Sequence, residues 1–191
     1  MARNKINPSK IPVSLSMEEI TEIIYNATRD MTIRVWASII GAMIDFSDTT
    51  SDSIIDMVYA VNSYTVDHKE KDHAKAVNLA IRQIEDISGL DFQLTDMKIP
   101  VIRTLRDKKK FQAIADRNAV NIAFATIMEP LLQCHLIDME KLPAVIRKAY
   151  AICQEIEGGE LTLSDIAWAL ENEYSISMEV VNHHLCFSKK A

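Results

Sequence analysis

Residues 36–44 read Trp36-Ala37-Ser38-Ile39-Ile40-Gly41-Ala42-Met43-Ile44, and the fold turns on them. The stretch is apolar on nearly every side of a helical turn, which places it as a helix at the centre of a core. Ala37 and Gly41, four residues apart, leave room for a second helix to approach closely. Asp30 stands where a cap would open this helix, expected over Met31 to Phe46. Just upstream, Ser16-x-x-Glu19 forms a capping box before Ile20, Ile23 and Ile24, which recur at helical spacing.

The same alternation of caps and stripes continues downstream. Thr49-x-x-Asp52 precedes Ile54, Ile55, Val58 and Val61, and a polar stretch, Asp67 to His73, continues or breaks that helix. Val77, Ala80, Ile81, Ile84 and Ile87 form the next stripe, with Gly89 as its stop. Leu90 to Pro100 lacks a helical period and reads as a connection. Pro100 then suits a first helical turn. Residues 101–137 are helix-prone but long, with Pro130 placed to kink or end them. Asp138 is expected to cap the Leu142 to Ile156 stripe, which Gly158-Gly159 stops. Thr162-x-x-Asp165 opens another helix, and Ser177 a last short one through Leu185. The expectation is an all-α protein of seven or eight helices, in one compact domain or two tightly packed lobes. The expected divisions are a flexible arm over 1–13, an N-terminal lobe over 14–89 and a C-terminal lobe over 101–187.

Composition narrows the functional classes. The chain has 191 residues, of which four are glycine and five proline. With glycine only at 41, 89, 158 and 159, neither dinucleotide nor nucleoside-triphosphate glycine loops can be written. The basic start, Met1 to Lys5, leads into Pro8 and Ser9 and not into an apolar signal segment. Cys134, Cys153 and Cys186 follow no C-x-x-C spacing, as suits reduced thiols in the cytoplasm. No membrane association is expected.

Several clusters invite chemistry. Glu19-x-x-Glu22 and, downstream, Ser53-x-x-Asp56 resemble the ExxE and ExxD elements of all-α nucleotide pyrophosphohydrolases of the MazG and dimeric dUTPase type. Over residues 16–90 that resemblance implies a Mg²⁺ site with Glu19, Glu22 and Asp56 as ligands. Ser53 replaces the third carboxylate, so the metal set is incomplete. Asp45 to Asp56 spaces its oxygen side chains like a calcium loop but has Thr50 where the turn needs glycine. His68 and His73 fall on different helix faces, and Cys134-His135 with His183-His184-x-Cys186 lacks zinc-site spacing.

Leu163 to Leu185 resembles the helix-turn-helix of winged-helix repressors, with Ile166-Ala167-x-x-Leu170 before Val181-x-x-x-Leu185. Its turn is long and lacks glycine, and a looser match lies over Glu19 to Trp36. Charge is more informative. Residues 101–120 carry a local net of +4 in a chain of −6, so the rest sums to −10. On a helix, Arg103, Arg106, Lys110 and Arg117 fall within about 60° of one another. Such a stripe can meet phosphates or acidic side chains. The expected function is that of a small regulatory or adaptor protein, with no cofactor and no catalysis. It would bind a nucleic acid or an acidic protein through 103–117. Apolar helices over 31–46 and 118–137 could also supply a homodimer interface.

Overall fold

The computed structural model describes residues 12–46, 48–67, 73–92, 94, 102–181 and 184–190. Six helices occur among them: α1 (Met17–Met43), α2 (Ser51–Asp67), α3 (His73–Ser88), α4 (Leu105–Gln133), α5 (Leu142–Gly158) and α6 (Leu163–Tyr174). A hairpin of β1 (Ile176–Val181) and β2 (His184–Lys189) follows them.

The central stretch is at the core as its pattern requires. Val35, Ala37, Ile39, Ile40 and Ala42 of α1 have no exposed surface. The helix does not restart at Asp30: one continuous α1 of 27 residues runs from the Ser16 capping box to Met43. Asp30 remains on its exposed face, paired with Arg29. No turn therefore interrupts 19–36, and the looser helix-turn-helix match there is a single helix. Gly41 is the close-approach site: a β-carbon added there would stand 3.4 Å from Cδ1 of Ile152 on α5.

α1 and α4 both begin beside a bridge between Pro12 and Thr104, and they run in the same direction in extensive contact. The arm expected over 1–13 thus has its last two residues paired, with Val13 donating to the Arg103 carbonyl at 3.0 Å, while 1–11 lie outside the described residues. α5 is antiparallel to α1, since Lys148 pairs with Asp45 and Lys141 with Asp48. One continuous core reaches from Ala27 on α1 to Ile176 on β1 and includes both halves of the chain. The apolar surfaces over 31–46 and 118–137 contribute most of their apolar residues to this core. A small satellite core of Ile20, Ile102 and Phe111 joins the first turns of α1 and α4.

Several boundaries move. α2 is opened not by Thr49 but by Thr50, whose hydroxyl accepts from Ser53 N–H while Ser53 Oγ accepts from Thr50 N–H. Thr49 instead donates its hydroxyl to the Met43 carbonyl at 2.7 Å, helping to finish α1. α4 opens on Thr104, which forms a capping box with Asp107, and it passes through Pro130 to end at Gln133. Pro130 has no N–H to give the Thr126 carbonyl, so α4 forgoes that bond and ends within one further turn. Asp138 forms a turn ahead of α5, and Leu142 starts the helix with Pro143 beside it. Gly89 and Gly159 do end α3 and α5, with φ of +72° and +77°.

The largest correction is at the C-terminal end. Residues 176–181 and 184–189 are not a short helix capped by Ser177 but two antiparallel strands, registered from Ile176 opposite Lys189 to Val181 opposite His184. Ser175, in the left-handed region at φ 53°, ends α6 and turns the chain into β1. Helix α6 is therefore followed by paired strands, and among the described residues no recognition helix packs on it.

Candidate functional site

The cations of the basic stripe are arranged along the first half of α4. Arg106, Lys110 and Arg117 are exposed on this helix, while exposed Arg103 lies just ahead of its cap. The backbone of Arg103 donates to Asp107 and accepts from Val13. Four lysines elsewhere are paired with carboxylates. Lys148, Lys141 and Lys189 reach Asp45, Asp48 and Asp52, and Lys190 reaches Glu171. Among the described residues, no ion pair involves the side chains of Arg103, Arg106, Lys110 or Arg117.

The acidic candidates have other work. Asp45, Asp48 and Asp52, from the calcium-like run, hold lysines of α5 and β2, and Asp52 and Asp56 lie inside α2. Glu19 accepts from the Ser16 N–H at 2.7 Å, and this bond holds its carboxyl below the usual range, with Lys108 adding to the effect. Glu22 and Asp56 are exposed. Among the described residues, no group of three or more His, Cys, Asp or Glu side chains could hold a metal ion. His68 and His183 lie outside the described residues, and Cys134 ends α4.

A cleft of about 320 Å³ opens where the stripe ends. α4 contributes Ala113, Asp116, Arg117, Val120 and Asn121, and α5 contributes Tyr150, Cys153, Gln154 and Glu157. The two walls stand apart because both helices pack on α1. Of the lining residues, Tyr150 also packs into a three-ring cluster: Phe92 to Phe124 at 5.5 Å, Phe92 to Tyr150 at 5.3 Å and Phe124 to Tyr150 at 6.0 Å. These separations suit the tilted and edge-on arrangements favoured by ring quadrupoles. The Asp116 carboxylate accepts from Gln112 at 2.8 Å, which steadies it on the rim. Sequence patterns did not reveal the cleft. Asn121 was its one visible sign, an amide inside an apolar run that is only 2% exposed.

Cys153 is no nucleophile. Burial, aided by Glu157, pushes its thiol up to about 11, and a bond with Ser38 only partly opposes this. At neutral pH it is a protonated, inert thiol. A native-state thiol-labelling experiment followed by mass spectrometry should modify exposed Cys134 and Cys186 and spare Cys153. Equal labelling of all three would show the core around Cys153 to be open.

Among the described residues, no helix is long and apolar enough to cross a membrane. Compared with protein-family models, curated proteins and solved structures, the chain matches none.

Proposed function

We propose that this protein binds a polyanionic macromolecule, a nucleic acid, along Arg103, Arg106, Lys110 and Arg117. The observation that carries the reading is that, among the described residues, none of these four exposed side chains makes an ion pair, whereas Lys141, Lys148, Lys189 and Lys190 each reach a carboxylate. Exposed cations carried along a rigid helix can exchange small counterions for phosphates, which is where nucleic-acid affinity comes from. Such a surface suits a regulatory or adaptor role that needs no catalytic group. An acidic protein is the other polyanion the stripe could meet.

Salt dependence tests this directly. Four phosphate contacts predict that log K for a single-stranded oligonucleotide falls with log salt at a slope of about −2.8, and for a duplex about −3.6. Titrations at several salt concentrations give the slope. A slope near zero, or binding to polyglutamate alone, would overturn the reading.

A further inference from the structure

The cleft and the stripe share Arg117, and this continuity allows a more specific statement, which rests on the polyanion reading above. We propose that the cleft between α4 and α5 receives an unpaired base of a single-stranded nucleic acid, whose phosphates follow Arg117, Lys110, Arg106 and Arg103 up α4.

Three properties of the cleft select a base over a phosphate. Its volume of about 320 Å³ is at the small end for ligand pockets, enough for one ring system rather than an extended cofactor. Its charged lining is mixed: Asp116 and Glu157 flank it with Arg117. Carboxylates repel a phosphate but accept from exocyclic amino groups such as cytosine N4. Gln154 adds an amide that can both donate and accept. The third property is the Tyr150 ring, which lines the cleft and is fixed in place by Phe92 and Phe124. A pre-positioned aromatic surface beside a run of cations is the combination by which single strands are held. In a duplex the bases are stacked and paired, so none enters the cleft without being flipped out.

Fluorescence anisotropy with oligodeoxycytidylate and an abasic strand of equal length separates base from phosphate. The base-bearing strand should bind about tenfold more tightly, the scale of one stacked base. Gln154, exposed on the cleft rim, tolerates enlargement, and Gln154→Trp should block the cleft. The variant should bind both strands with the affinity that the wild-type protein has for the abasic one. Thermal melting verifies that it is folded. Equal wild-type affinity for the two strands would overturn the cleft assignment and leave the stripe standing. A preference that survives Gln154→Trp would do the same. Binding of neither strand, even at low salt, would overturn both.

Discussion

Phe124→Ala is expected to lower the unfolding free energy by about 3–5 kcal/mol. Phe124 has no exposed surface and stands between Phe92 and Tyr150, so its removal empties a site walled by two other rings. Those rings are themselves anchored, Phe92 by its N–H donating to Glu85 at 2.9 Å and Tyr150 by its place on α5. Neither can move far to fill the gap, so the cavity term adds to the lost transfer energy. Trp168→Ala supplies the contrast. Trp168 is larger but 66% exposed, and its truncation should change stability by no more than about 0.5 kcal/mol. Urea unfolding of both variants decides the matter. A Phe124→Ala cost no greater than that of Trp168→Ala would mean that the three-ring cluster does not join α4 to α5. Phe124→Ala should also weaken strand binding where it is still folded, because Tyr150 loses its support.

Much of the helical architecture was legible because apolar periodicity and capping chemistry agree locally. Ser16 with Glu19, Thr162 with Asp165, and the stops at Gly89 and Gly159 each satisfy end groups that a helix must satisfy somewhere. Asp30 failed as a boundary for a physical reason. A good capping residue is tolerated within an exposed helical face when nothing breaks the bonds around it. Thr104 with Asp107 carried the same signal as the other boxes, but Pro100 drew the expected start upstream of it. The hairpin was misread because Val181 and Leu185 have helical spacing, four residues apart. The alternation over Leu185, Cys186, Phe187 and Ser188, inward then outward, was the competing signal, and packing against α6 and the core decided for it. The stripe was visible because charge on one helix follows from sequence spacing. The cleft was not, because its two walls are about 30 residues apart in the chain and are brought together by tertiary packing.

Reversing Arg103 and Arg106 together should separate binding from stability, and in opposite directions. Arg106 occupies the first turn of α4, two residues after the Thr104 cap, where the helix dipole presents its positive end. A cation there is disfavoured and an acid favoured, by about 0.3–1 kcal/mol at an exposed position. Neither side chain makes an ion pair that the substitution would break among the described residues. Arg103→Glu with Arg106→Glu should therefore leave the fold intact and raise its unfolding free energy slightly. Nucleic-acid affinity should fall about a hundredfold, equivalent to about 2.7 kcal/mol, because two attractive phosphate contacts become repulsive. The single-strand salt slope should shrink from about −2.8 to −1.4 or less. Residues that cost stability where they stand, and whose loss removes an activity, are the mark of a surface shaped by function. If the double variant is no more stable than the wild type yet loses binding, the dipole argument fails while the contact surface stands. If it keeps both affinity and slope, these arginines do not touch the partner.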